Sequence, residues 1–223
     1  MEQDATALQR LTQPTLDYRA LTPPTPRAER LAVLWTLLTL ALALFLGWAL
    51  MLAVNSRTAT FSDPQLSLQY PAGWAAGTDD EGNAVFRNLG SESLRFHERI
   101  TVIHAEAPSS GLPAASPLAE AATAWTLSRS QALSSFRNLA TVDGLTVADQ
   151  PAIRVDYAYV ADPTAALGRP GVPVVVRGSD YLFLVGNQMH VISGQATEAD
   201  WSAFEKTLAK VVASVRLNPA PAP

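Results

Sequence analysis

From Leu31 to Val54 the chain reads LAVLWTLLTLALALFLGWALMLAV, 24 residues without a charged side chain. As a helix this run spans roughly 36 Å at ~1.5 Å per residue, enough to cross a ~30 Å hydrocarbon layer with some tilt. Its apolar positions circle the whole helix rather than forming one stripe, so a single buried face cannot accommodate them. A core helix of a soluble domain would be shorter. A cleaved signal peptide would carry its apolar core behind a short basic start, whereas 30 residues precede this run and no convincing A-x-A site follows it. The run is therefore read as a transmembrane helix. Trp35 lies near one end, where an indole suits the headgroup level, and Trp48 lies about a turn and a half from the other.

Flanking cations set the expected orientation. Arg19, Arg27 and Arg30 precede the span, and only Arg57 follows closely. The positive-inside rule then places the N-terminus in the cytoplasm and the C-terminal part in a periplasm or at the cell surface, as in a bacterial inner-membrane protein. The expected organisation is a flexible cytoplasmic tail over 1–30, the span over 31–54, an extracytoplasmic domain over 55–217 and a Pro/Ala tail over 218–223. Pro14, Pro23, Pro24 and Pro26 preclude a long helix in the first segment. The net charge of -4 argues against a nucleic-acid partner held through phosphates. With no Cys, the chain has no disulfides, thiolate metal sites or cysteine nucleophile.

The domain reads as strands with two helices. Gln65–Tyr70 alternates, Ala84–Leu89 and Arg99–Glu106 follow, and Ser116-Pro117 is an N-cap with proline at the first helical position of a helix to about Leu133. Further strands are expected over 140–148, turned at Asp143-Gly144, over 152–160, 172–177, 181–185 and 188–193, with Gly186-Asn187 as a two-residue hairpin turn. Along 152–160, Ile153, Val155, Tyr157 and Tyr159 share one face while Arg154 and Asp156 take the other. In the last helix Thr197 is the expected N-cap, with Glu198 and Asp200 in the first turn. Trp201, Phe204, Leu208, Val211, Val212 and Val215 form its core stripe, and Lys206 and Lys210 face away. The fold class is α+β, an antiparallel sheet flanked by helices.

Several local phrases carry a resemblance. Phe61-Ser-Asp-Pro64 followed by LSLQYPAGW to Trp74, the Ala152-Ile-Arg-Val-Asp-Tyr157 strand after Gln150-Pro151, Gly178-Ser-Asp-Tyr181, Val191-Ile-Ser-Gly194 ahead of an acid-led final helix, and Ser214-Val-Arg-Leu217 together resemble PsbP-like and Mog1-like domains over about 60–217. The resemblance implies an α/β/α sandwich on an antiparallel sheet. It also implies a protein that binds and organises other proteins, as do the extrinsic subunit on the lumenal side of photosystem II and the small partner of a nuclear GTPase. No catalytic set is shared across that family, so none is carried over. The membrane anchor departs from the photosynthetic members and puts a freely dissociating role in doubt.

Catalytic signatures are missing: no G-x-S-x-G, P-loop, H-E-x-x-H or dinucleotide glycine fingerprint occurs. His104 and His190 with Glu106 form a conceivable metal set, though partly exposed strand histidines are far commoner. Asp79, Asp80 and Glu81 beside Gly82-Asn83 are read as a solvated loop, because Ca²⁺ spacing is not met. No metal or cofactor is expected. Candidate partner contacts are Ala43 and Gly47, a small-xxx-small pair in the span, and Leu112 and Leu167, apolar residues on Pro/Gly-rich loops. The expected function is non-enzymatic: an accessory or scaffold subunit of a larger membrane complex (respiratory, photosynthetic or transport), with other membrane-protein subunits and the lipid bilayer as partners. The alternative is an anchored receptor or sensor for a small ligand or lipid.

Overall fold

A computed structural model describes residues 26–55, 57–90, 96–107, 116–162 and 172–218. The chain divides into two compact units, Met1–Ala53 and Val54–Pro223. Helix α1 (Pro26–Asn55) contains the apolar run, and the stretch Arg30–Val54 is long and apolar enough to cross a membrane, with none of it buried. Trp35 and Trp48 are both exposed along it.

Among its described residues the second unit has ten strands and two helices. In chain order these are β1 (Thr58–Ser62), β2 (Leu66–Pro71), β3 (Ala75–Thr78), β4 (Ala84–Arg87), β5 (Arg99–Glu106), α2 (Pro117–Ala132), β6 (Arg137–Val147), β7 (Gln150–Ala161), β8 (Val174–Val185), β9 (Gln188–Thr197), α3 (Trp201–Ala213) and β10 (Arg216–Leu217). Seven strands form an antiparallel sheet in the order β3-β4-β5-β9-β8-β7-β6, and β1, β2 and β10 form a small second sheet.

Strand alternation assigns the two faces of the large sheet. Ile100, Val102, Phe183, Ile192 and Ala196 point towards α3 and join Trp201, Phe204, Leu208, Val211 and Val212 in one core. Leu66 and Leu68 from β2 close that core, so the small sheet lies over the same side. On the opposite face, Ile153, Val155, Leu182, Met189 and Val191 pack under α2 through Ala121 and Ala122. Helix α3 approaches β9 at Gly194, where a Cβ would lie 2.4 Å from Leu208 Cδ2. A side chain there would force the Leu208 side chain out of its place against the sheet.

The expected α+β class, with an antiparallel sheet between helices, is what the chain adopts, and several elements follow the sequence closely. Strand β5 spans the expected residues, and β7 buries Val155, Tyr157 and Tyr159 while leaving Arg154 and Asp156 half-exposed. Ser116 caps α2 through its hydroxyl, which accepts from Ala119 N–H at 3.2 Å with Pro117 next to it. Gly186 has φ 62° in the β8–β9 hairpin.

Other elements are corrected. Segments 172–177 and 181–185 are one strand, β8. Gly178 does not turn the chain but makes room for a ring, since a Cβ there would lie 2.4 Å from Tyr157 Cζ. Asp143-Gly144 is an irregularity inside β6 and not a turn; the register shifts between Val142 and Leu145, with Gly144 at φ 75°. The chain turns instead at Ala148 and Asp149, both at positive φ (50° and 61°). Thr197 is not the N-cap of α3. It is the last residue of β9, paired with Val176, and α3 starts after Asp200. The Thr197 hydroxyl donates to the Asp200 carboxylate at 2.6 Å, so that acid braces the strand-to-helix corner.

Candidate functional site

Polar residues concentrate on the α2 face of the sheet. Asp180 on β8 has no exposed surface, yet it sits on a face of otherwise apolar strands. Its Oδ2 accepts from Trp125 Nε1 at 2.7 Å and from Arg129 Nε at 3.1 Å, both donors coming from α2. Its Oδ1 accepts from the Tyr157 hydroxyl of β7 at 3.1 Å. Arg129 also donates to Ser193 Oγ at 3.1 Å, and its guanidinium lies 4.6 Å from the Trp125 ring centroid. Burial alone would lower the Arg129 pKa, but the Asp180 carboxylate, together with Tyr157 and Tyr159, holds the guanidinium above its ordinary value. Burial, reinforced by Asp180, pushes the Tyr157 phenol well above its ordinary value, so it stays a neutral donor.

A second knot adjoins the first. Gln195 Oε1 on β9 accepts from Arg99 Nε at 3.0 Å, Arg99 Nη2 at 2.7 Å and the Tyr159 hydroxyl at 2.9 Å. Gln195 Nε2 donates to the Tyr157 hydroxyl at 3.0 Å and thereby links the two knots. Where α2 stops covering the sheet, this network forms one wall of an open cleft of about 240 Å³. Arg87, Arg99, Thr101 and Gln195 line it from the sheet and Arg129 from α2, and Asp79, Asp80 and Glu81 from the β3–β4 turn line it as well. Among the described residues no carboxylate lies within 4.0 Å of Arg87 or Arg99. The β3–β4 turn is self-contained: Asp79 accepts from the backbone N–H of Glu81 (3.0 Å) and Asn83 (2.8 Å), as a solvated turn does.

The opposite face carries a smaller polar chain. His104 Nδ1 and His190 Nδ1 lie 2.8 Å apart, and His104 Nε2 is 2.9 Å from Asp63 Oδ2. Asp63 Oδ1 accepts from the N–H groups of Gln65 (2.7 Å) and Leu66 (2.8 Å), so the chain ties the β1–β2 turn to the large sheet. A carboxylate only accepts, so His104 Nε2 carries a proton; in a neutral His104, Nδ1 then accepts from His190. The sequence pairs His104 with His190 correctly, but the carboxylate beside them is Asp63 and not Glu106, which is exposed at the end of β5. The geometry is a direct hydrogen bond rather than a ligand cage, and the described residues contain no group of three or more His, Cys, Asp or Glu placed to hold a metal.

Burial, with the neighbouring His104, lowers the His190 pKa from 6.5 to about 4. The unfolded chain therefore binds a proton that the folded one refuses between those values, so stability is full above the ordinary histidine range and falls as the pH drops towards 4. Burial pushes the Asp63 carboxyl up, but the backbone donors of Leu66 and Gln65 together with His104 hold it below its ordinary value, which adds a loss at still lower pH. Thermal melts from pH 7.5 to 4 should show a falling midpoint, and His190→Leu should flatten the slope between pH 6.5 and 4. An equal slope in wild type and variant would remove His190 as its source.

The partner residues read from sequence do not converge. Ala43 and Gly47 are exposed on α1, and no atom lies within 4 Å of a Cβ built at Gly47. Leu112 and Leu167 lie outside the described residues. Sequence reasoning missed the network around Asp180 because Gly178-Ser179-Asp180 reads as a turn. The available signal was the place of Asp180, Ser193 and Gln195 at every second position of apolar strands.

No family model matches the sequence, and no curated protein matches it. Solved structures resemble the chain. Cyanobacterial PsbP from Synechocystis is 18% identical, with 72% of this chain and 92% of that one covered and a TM-score of 0.49. LpqN of Mycobacterium tuberculosis, involved in cell envelope biogenesis, is 11% identical over 73% of this chain and 91% of its own, with a TM-score of 0.49. The Ran-binding protein Mog1p of Saccharomyces cerevisiae is 14% identical over 72% and 95%, with a TM-score of 0.48. PsbP-like and Mog1-like structures, the two kinds that the sequence resembles, thus both stand among the neighbours.

Proposed function

We propose that this chain is a non-enzymatic accessory subunit of a membrane protein complex: an anchor helix that tethers a rigid protein-binding domain outside the cytoplasm. The observation that carries this reading is the saturation of the polar α2 face. Asp180 and Gln195 receive their donors from within the domain. Among the described residues the buried side-chain atoms without a partner are Gln65 Oε1 and Arg154 Nε, and neither lines the cleft. A cleft whose floor is already satisfied needs no small ligand to complete it, whereas Arg87 and Arg99, with no carboxylate beside them among the described residues, suit carboxylates on a protein surface. Small-ligand sites are usually larger and mostly apolar. Tethering supports the reading further, because it raises the effective concentration of a weakly binding domain at its partner. The orientation expected from the flanking cations, with the N-terminus in the cytoplasm, is compatible with it.

A second reading is favoured by one observation. Helix α2 and strands β6 and β7 enclose a groove of about 480 Å³ lined by Ala119, Ala122, Leu127 and Ile153 with a polar border that includes Thr126 and Asp143. Its size and lining suit a small apolar ligand, as an anchored receptor would hold.

Extraction in mild detergent followed by native mass measurement separates the two. The accessory subunit co-migrates in a stoichiometric complex; a receptor runs alone and melts higher with an apolar ligand. Replacing Ala43 and Gly47 with Leu should weaken recovery with the complex while membrane insertion persists. Full recovery would assign the binding to the domain or to the N-terminal segment, leaving the helix as a tether.

A further inference from the structure

A cleft on the α3 side of the domain includes Arg57, three residues after the apolar stretch. It measures about 340 Å³ and is lined by Arg57, Thr58, Gln69, Tyr70, Pro71, Thr207, Lys210, Val211 and Ser214, of which Arg57 and Lys210 supply the charge. Both cations are exposed, and among the described residues no carboxylate lies within 4.0 Å of either. Thr58 and Ser214 also line it, the Ser214 hydroxyl donating to Val211 O at 2.6 Å, and Tyr70, Pro71 and Val211 supply an apolar wall. Ser214 Oγ accepts from Gln69 N–H at 2.8 Å, which fixes the end of α3 against β2 and holds the cleft's shape.

Sequence distance places this cleft in depth. Arg57 follows Val54, the last residue of the apolar stretch, by three positions. Three residues reach at most ~10 Å even when fully extended. Arg57 N–H instead donates to Val54 O at 3.2 Å, so the chain turns back and Arg57 stays closer still. If Arg30–Val54 crosses a bilayer, the Arg57 guanidinium lies in the headgroup layer, where the polar and ionic groups of lipids are found. Two cations without a carboxylate partner around a small cleft match a phosphate monoanion, and the apolar wall matches the glycerol backbone attached to it.

We propose that Arg57 and Lys210 form a binding site for the phosphate of an anionic phospholipid headgroup, which clamps the domain to the membrane surface. Such a clamp adds to the tether by fixing which face of the domain meets the bilayer, and therefore which faces remain for a partner. It rests on the reading of Arg30–Val54 as a span, but not on the accessory role.

The test uses the full chain purified in a neutral detergent and examined by native mass spectrometry. Dioleoyl phosphatidylglycerol, dioleoyl phosphatidylcholine and inorganic phosphate are the three probes. The expected result is one retained phosphatidylglycerol per chain, bound at least tenfold more tightly than phosphatidylcholine. The double substitution Arg57→Gln with Lys210→Gln should lose that preference, and Arg137→Gln on the exposed far-edge strand β6 should keep it. Equal retention of the two lipids, or an unchanged preference in the double variant, overturns the proposal. Competition by millimolar phosphate without lipid selectivity also overturns it, since the site would then take the free ion. A circular-dichroism melt of the double variant checks that it folds; if it does not, Lys210→Gln alone repeats the measurement. An alkaline carbonate wash of membranes tests the premise separately: release of the wild type removes the anchor, whereas retention together with equal lipid capture removes the headgroup site alone.

Discussion

Asp180→Ala should lower folding stability by about 3–5 kcal/mol, the range seen when one partner of a buried ion pair is removed. The wild-type carboxylate has no exposed surface and accepts from three side chains at 2.7–3.1 Å. Its loss leaves the Arg129 charge under α2 and the Trp125 and Tyr157 donors without their acceptor. The guanidinium cannot escape by deprotonating, so the cost falls on packing: α2 must shift or water must enter. For a domain of this size the midpoint should drop by roughly 10 °C or more in a thermal melt. A double variant, Arg129→Met with Asp180→Leu, removes both charges and should recover part of the loss, because a buried pair contributes little beyond its apolar replacement. A loss below about 1 kcal/mol for Asp180→Ala would show that solvent already reaches the pair.

Trp201→Ala should have a comparable effect, about 3–5 kcal/mol, from the other face. Trp201 is 4% exposed and lies in the first turn of α3, where its ring sits 5.7 Å from Phe204 and under the Arg177 guanidinium at 5.1 Å. Phe204 in turn stacks on Trp74 at 6.2 Å, so truncation opens a cavity beside two aromatic rings that are held by each other. Chemical denaturation with tryptophan fluorescence measures the loss, and an unchanged midpoint would mean that the stripe is not core. The two substitutions share no partner and act on opposite faces of the sheet, so their effects should add within about 0.5 kcal/mol.

Where sequence and structure agree, the determining physics is local. The apolar run of α1 follows from hydropathy and length. The stripe Trp201, Phe204, Leu208, Val211, Val212 is buried as the 3.6-residue period requires. Alternation along 152–160 and the Ser116-Pro117 cap concern residues a few positions apart, and the chain's own geometry decides them. The sequence names His104 and His190 together only as a conceivable metal set; that β5 and β9 lie side by side with the two in register is decided by the sheet.

The tertiary structure alone decided what depends on contacts between distant segments. Gly178 looks like a turn residue until the Tyr157 ring, from the neighbouring strand, occupies the space of its missing side chain. Thr197 looks like a helix cap until Val176 claims its backbone for the ladder. Asp63, 41 positions before His104, reaches it only because the small sheet folds over the large one. The Asp180 network joins α2, β7, β8 and β9, and no local pattern holds its four parts together. Segment type and membrane character are thus properties of short windows, set by propensity and period. The sites are properties of long-range packing, where the cost of burying a charge or a ring is met by partners that the sequence places far away.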